Sequence, residues 1–485
     1  VWYFVISIIF HLGSTLFVFL LAKKLTKNIY IAFSASLLFG IHRLSSQAVT
    51  WFAASLGAEL STLFLLLSFI LYLYYLDKKK ISIFIVSIIT YLFSIFSKET
   101  SLSLVIFFPF IYLVYKNKEI SRSLLKDKEI RKTVFYPLFL GLFFLFKLIL
   151  LVINPLIPTG VVVKPEHTSV VFLYLKILFY PLLALAQIFD WNSILFSASK
   201  EFLLSEYPDL AHNAVAPHLI ETLAPDILYL LASFVLLTIV VWLYPKFKKI
   251  NPKLTSVFIL SGIGFFISIL PYVPLPRFTT FLEPRYYYTP NIFAALMLSI
   301  FIYLFFQKAF RSNIAEKLMV IIVILIAIVN YQNIQIDLAS RIQIAQQRKT
   351  VLYQFKVLMP HLPVKDSVIF VTGTGSDYLI PDLKVPFQSG FGNVLMVWYN
   401  DPHYLKPQIL DNGFLYQLND QGYQKIGNYG FGYYYQKPVL LKDVQAKKFN
   451  LSQVYGFSWD ESHQKLYNIT ESLRKELQLS IHEEN

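Results

Sequence analysis

Over its first two-thirds the chain alternates long apolar blocks with short polar connectors, and after Asn333 it changes to mixed, mostly polar sequence. The apolar blocks fall at about 1–22, 29–42, 51–76, 81–96, 101–115, 134–153, 170–189, 226–245, 254–273, 286–306 and 316–333. A run of roughly 20 apolar residues spans a bilayer as a helix, and continuous rather than alternating apolar sequence selects helices over a β-barrel. The pattern predicts an α-helical polytopic membrane bundle over 1–333 with about ten crossings.

Beyond 333 the pattern changes. Residues 334–350 read as a helical linker, and 351–485 as a soluble α/β domain on the far side of the membrane. Alternating stretches at 367–371 and 430–436 read as strands. Asn412-Gly413, the turn at 420–422 and Asn428-Tyr429-Gly430 punctuate them, and 471–479 reads as a closing helix.

Charge fixes the expected orientation. The connectors hold Lys23, Lys24 and Lys27, then 78–80, then 116–132, then Lys246, Lys248 and Lys249, then Lys308 and Arg311, all cytoplasmic by the rule that Lys and Arg stay inside. The other connectors are poor in cations and carry Glu99, Glu166, Asp190, Glu201, Glu206, Asp209 and Glu283. One block spoils the alternation: a full crossing by 170–189 would put the basic loop 246–253 on the outside. The sequence therefore expects 154–225 to stay outside, with 172–189, broken by Lys176 and Pro181, dipping into the membrane without crossing it. A missed crossing within 195–225 is the alternative.

Composition agrees: 56% of residues are hydrophobic and 15% charged, against about 25% charged in an ordinary soluble domain. The net charge of +14 is spread through connectors rather than gathered into a nucleic-acid-binding face, so no nucleic-acid partner is expected. With no cysteine, thiolate chemistry is excluded. No metal-ligand spacing, phosphate-binding glycine loop or nucleophile elbow occurs, so no metal site and no cofactor is assigned, and any need for a divalent cation is left open.

Ionisable residues at the membrane rim are the candidates for chemistry. His42 and Arg43 follow the second block, Lys98 and Glu99 the fourth, and Glu283 and Arg285 open the tenth within Glu283-Pro-Arg-Tyr-Tyr-Tyr288. All three clusters are expected on the outer rim. Cations neutralise a phosphate, tyrosines pack at headgroup depth and a carboxylate takes a proton, so the mixture suits a lipid-phosphate substrate. Snorkelling cations and aromatic belts at helix ends are the plainer explanation of any single cluster. Glu59, inside the third block, needs a partner or a wet cavity unless the helix starts later than the pattern indicates. His11 reads as polar packing between helices.

In order along the chain, His42 with Gln47-Ala-Val-Thr-Trp51, a Leu-rich helix ending Tyr72-Leu-Tyr74, Ser97-Lys-Glu-Thr100, Phe179-Tyr-Pro-Leu182 before Asp190-Trp191, and Glu283 to Pro290 resemble the GT-C class of membrane glycosyltransferases. Within it the likeness is to bacterial relatives of the transmembrane and tetratricopeptide-repeat mannosyltransferases, over about 1–306. Arg43 and Gln47 stand where that pattern has proline and glutamate, and no 34-residue helical repeat follows the bundle.

The resemblance implies an inverting transfer of a sugar, a hexosyl group, from a polyprenyl-phosphate donor to a protein or glycan acceptor at the outer face of a cell membrane. By that resemblance Lys98, Arg285 and Arg43, with His42, hold the donor phosphate, Tyr286 and Tyr288 wall the lipid groove, and Glu99 and Glu283 orient the cations. The usual catalytic carboxylate of the class lies in the first outer loop. Since 1–21 resembles the second helix of the class, the base is expected before Val1. The competing reading is a non-catalytic membrane protein, either a transporter or flippase for lipid-linked glycans or a degenerate transferase acting as a binding module.

Overall fold

The computed structural model of the chain describes residues 2–50, 52–117, 127–138, 141, 145, 149, 177, 179–186, 216–273, 284–361, 366–373, 391–398, 421–426 and 429–483. Trp51, Glu283, Asp190-Trp191, the turns at 412–413 and 420, Asn428 and nearly all of 154–215 lie outside the described residues. The described residues form two compact units, Val1–Ile334 and Gln335–Asn485.

The first unit is helical. Its elements are α1 (Trp2–Thr26), α2 (Ile29–Gly40), α3 (Arg43–Thr50), α4 (Phe52–Lys78), α5 (Ile81–Ser97), α6 (Phe107–Tyr115), α7 (Lys128–Thr133), α8 (Ala216–Ile250), α9 (Pro252–Ile269), α10 (Pro290–Gln307) and the first part of α11 (Ser312–Leu358). Among the described residues six helices are long and apolar enough to cross a membrane, and 29–40, 81–97 and 99–115 are shorter apolar helical stretches. Many outward-facing side chains of these helices are large and apolar, including Leu12, Leu16, Phe93, Val241 and Ile321. Lipid is the solvent that suits such a surface, because water would penalise it.

The sequence pattern and the structure differ at several boundaries for local reasons. The block 101–115 is a 3-10 segment, Glu99–Ile106, followed by α6. The tenth helix begins at Pro290 rather than at Tyr286, because proline has no N–H to lose at the first helical position. Tyr286 instead belongs to a 3-10 turn, Pro284–Tyr287. The expected loop 246–253 shrinks to Asn251, whose side chain caps α9 by accepting from Leu254 N.

The basic connectors share one end of the bundle. Lys24 at the foot of α1 pairs with Asp77 at the foot of α4 at 2.6 Å, and Lys116 after α6 reaches the same carboxylate at 3.6 Å. Lys79 and Lys132 flank Glu129, and Asn28 donates to Glu316 at 2.8 Å. Lys253 lies close enough to Lys27 for the two charges to interact. The foot of α9 therefore lies beside the foot of α1. Of the block 170–189, residue 177 and 179–186 are described, as helix; Leu183 and Ala186 pack on Tyr229, and Ser233 donates to the Leu182 carbonyl.

The second unit is a mixed five-stranded sheet with helices on both faces. It comprises β1 (Asp366–Gly373), α12 (Phe391–Trp398), β2 (Gly422–Ile426), β3 (Tyr429–Tyr434), α13 (Lys437–Gln445), β4 (Val454–Asp460), β5 (Lys465–Asn468) and α14 (Thr470–Glu483), with strand order β2-β3-β1-β4-β5. The central strand β1 is parallel to β3 and β4, and β2 and β5 are antiparallel edges. Side chains alternate as a pleated strand demands. Ile369, Val371, Phe431, Phe457 and Trp459 meet Phe355 and Leu395 on one face, while Val368, Phe370 and Tyr434 meet Leu440, Leu473 and Leu477 on the other.

Candidate functional site

At the end of the bundle away from the basic connectors, the chain doubles back through α3, the 3-10 segment after α5 and the turn before α10. Lys98 sits in the break between α5 and that segment. Its backbone N–H donates to the Ser94 carbonyl, closing α5. Beneath it the hydroxyls of Ser61, Ser94 and Ser101 form a buried cluster, with Ser61 and Ser101 2.5 Å apart, Ser94 donating to Ser101 at 2.9 Å and Ser61 also reaching the Lys98 carbonyl at 3.4 Å. Gly57 of α4 passes so close that a Cβ there would stand 2.8 Å from the Ser97 carbonyl. Small residues at that crossing let the two helices hold the backbone of Lys98 in place.

Arg285 arrives from the opposite side. Its backbone N–H donates to the Gln47 side chain of α3 at 2.9 Å. The Tyr286 ring lies between the two cations, 5.5 Å from Lys98 Nζ and 5.0 Å from the Arg285 guanidinium carbon. The Tyr286 ring also packs, tilted, at 4.8 Å against Tyr272, which ends the 3-10 turn after α9. Burial pushes the Lys98 ammonium down from its usual range; Glu99 opposes that shift and Arg285 adds to it, leaving it at about 8. Two cations and two tyrosines from three separate stretches thus converge.

Other expected site residues go elsewhere. Tyr288, expected beside Tyr286 in a lipid groove, is fully buried and turns into the bundle, its hydroxyl 2.9 Å from His11 Nδ1. His42 is buried at the start of α3, where its Nδ1 accepts from Leu44 N at 3.2 Å. The backbone N–H of Arg43 donates to Asn330 of α11, and α3 is tied to α10 by Asn291 donating to Ser45 at 2.9 Å. Glu99 is adjacent to the cations, whereas Glu283 falls outside the described residues. Among the described residues no group of three or more His, Asp or Glu is arranged to hold a metal ion.

Several partners carried no signal in the sequence. Gln47 stands out only as a departure from the glutamate of the resembled pattern, with nothing to link it to Arg285 until α3 brings the two together, and the bond between Thr62 of α4 and Thr289, 2.7 Å long and buried, joins positions 227 apart. Glu59 did carry a signal. It is fully buried about two turns into α4, rather than a polar residue at a loosely defined helix start.

Between α8, α9 and α10 runs an apolar groove of about 460 Å³, walled by residues that include Leu236, Val240, Phe258, Phe266, Met297 and Phe301. Its α9 wall continues into Tyr272, and so to Tyr286.

No family model matches the chain, and no curated protein or solved structure is significantly similar to it.

Proposed function

We propose that the chain is a GT-C-like membrane glycosyltransferase that moves a sugar from a polyprenyl-phosphate donor to a protein or glycan acceptor, with inversion, at the outer face of a cell membrane. The observation that carries this reading is the convergence of Lys98 and Arg285 on Tyr286. Two half-buried cations brought together repel each other, and a phosphate between them would offset that cost beyond what Glu99 does. A phosphate monoester or diester meets the need, because guanidinium and ammonium groups donate charge-assisted hydrogen bonds to its oxygens. The apolar groove between α8, α9 and α10 suits a prenyl chain.

In this reading the acceptor hydroxyl attacks the anomeric carbon, its C–O bond forming as the bond from that carbon to the phosphate oxygen breaks. The hydroxyl proton passes to a carboxylate base, and the leaving phosphate keeps the electron pair, stabilised by Lys98 and Arg285. Glu99 holds the cations in orientation rather than acting as base. Outward sidedness is supported by the basic connectors gathering at the opposite end, since Lys- and Arg-rich connectors tend to stay cytoplasmic.

The test is transfer from a defined polyprenyl-phosphate sugar by the full-length protein in lipid vesicles. Arg285→Ala and Lys98→Ala should each lower transfer about a hundredfold, the scale of losing one charged contact to a developing anion. Undiminished transfer in both variants would sink the proposal.

A further inference from the structure

Glu59 lies in the bundle interior with no exposed surface. Its Oε1 is 2.6 Å from the hydroxyl of Ser7 on α1, and its Oε2 has no hydrogen-bond partner among the described residues. That same hydroxyl is 2.9 Å from the carbonyl of Val49, in the last turn of α3. Ser7 is itself fully buried.

Counting protons decides between two states. A serine hydroxyl has a single proton to donate, yet the carbonyl of Val49 and an ionised carboxylate are both acceptors. If Glu59 were ionised, one of the two short contacts would set acceptor against acceptor, and the charge would be buried with no cation bonded to it. If Glu59 carries a proton, every contact has a donor: the carboxylic acid gives its proton to Ser7 Oγ, and Ser7 gives its own to Val49. The second arrangement leaves no buried charge and no clash.

Neighbouring ionisable groups do not alter the count. His11 on α1 donates through Nε2 to the Gly40 carbonyl at 3.0 Å, since that carbonyl only accepts, and so receives the Tyr288 hydroxyl at Nδ1. Tyr288 is within electrostatic reach of Glu59 but gives its proton to His11. Tyr91 on α5 donates to the Ser101 carbonyl at 3.0 Å. Lys98 and Glu99 beyond α5, His42 and Arg43 at the start of α3, and Arg285 with Tyr286 and Tyr272 also stand at this end, and none of them bonds to the carboxyl.

We propose that Glu59 is a proton-binding site, held as the carboxylic acid, whose ionisation draws the Ser7 hydroxyl off the Val49 carbonyl and so loosens the short helix that holds Arg285. The ligand is one proton, exchanged with water; no other bond is made or broken. Because α3 also carries Gln47, the state of Glu59 sets how firmly Arg285 is placed. The inference stands whether or not the chain transfers sugars.

Infrared spectroscopy on the full-length protein in lipid reads it directly. At pH 7 exposed carboxyl groups are ionised, so a protonated-carboxyl C=O band there belongs to a buried acid. The band should be present in the unaltered protein, missing in Glu59→Gln and shifted in Ser7→Ala, which removes its acceptor. Hydrogen exchange of residues 43–50 should speed up about fivefold in Ser7→Ala at fixed pH, the scale of one hydrogen bond, and in the unaltered protein the protection of these amides, corrected for the intrinsic rise of exchange with pH, should fall as the band disappears. A folded protein without the band at pH 7, or a band that Glu59→Gln retains, overturns the proposal. Should Glu59→Gln fail to fold, a band that Ser7→Ala leaves unshifted overturns it equally.

Discussion

The side chain of Gln47 accepts the backbone N–H of Arg285 at 2.9 Å, across 238 positions of sequence. Through this bond the short helix α3 governs where one of the two converging cations stands. Gln47 need not touch a substrate for the contact to matter.

Replacing Gln47 with Ala removes the acceptor and leaves the Arg285 N–H partly buried without it. A hydrogen bond of this kind is worth roughly 1 kcal/mol. Gln47→Ala should therefore raise the KM for a polyprenyl-phosphate donor about fivefold while changing kcat less, with Gln47→Glu, which keeps an acceptor oxygen, restoring most of the loss. An unchanged KM in Gln47→Ala would separate α3 from the site.

Lys98 gives a pH dependence with a defined sign. Burial lowers its ammonium to about 8, with Glu99 opposing the shift and Arg285 adding to it. The charged form is present below that value and lost above it, so binding of an anionic donor should weaken as pH rises through about 8. Lys98→Arg should flatten the fall, since a guanidinium stays charged throughout. Titrating donor affinity in both proteins checks the assignment, and a fall that Lys98→Arg leaves in place would refute it.

Glu129 makes a prediction at the other end of the bundle. It accepts from the Tyr75 hydroxyl at 2.6 Å and lies 3.2 Å and 3.4 Å from the ammonium groups of Lys79 and Lys132. Burial alone would raise its carboxyl, but Tyr75 and the two lysines outweigh burial and hold it below the usual range. A depressed carboxylate stabilises the fold above its unfolded value and loses that effect as pH falls through its own. Glu129→Gln should cost roughly 1 kcal/mol at neutral pH, much of it discounted by the exposure of Lys79. The difference in thermal midpoint from the unaltered protein should vanish on acidification, and a difference that persists would show that packing rather than charge is responsible.

Much of this molecule is written locally. The apolar block 1–22, followed by Lys23-Lys24, announces α1 and its foot, and the alternation of Val368, Ile369, Phe370 and Val371 announces β1, because each depends on residues a few positions apart. The three rim clusters were legible for the same reason, as charges that interrupt apolar runs. Which of them meet was not legible. Lys98, Tyr286 and Gln47 come together only through helix crossings that small residues such as Gly57 permit, and Tyr288 differs from Tyr286 in nothing but which side of a 3-10 turn it leaves. The Ser7, Val49 and Glu59 contacts lie on α1, α3 and α4, a relationship no periodicity encodes.

The strand order of the second unit has a consequence for synthesis. Strand β1 emerges first, yet its partners are Gly430 on one side and Val454 on the other. Until both have been made, β1 presents two unpaired edges and a row of apolar side chains to water, whereas α1 and α2 or α4 and α5 can pair as soon as they are inserted. The bundle can therefore assemble stepwise behind the ribosome, but the sheet has to wait and then close in one late event.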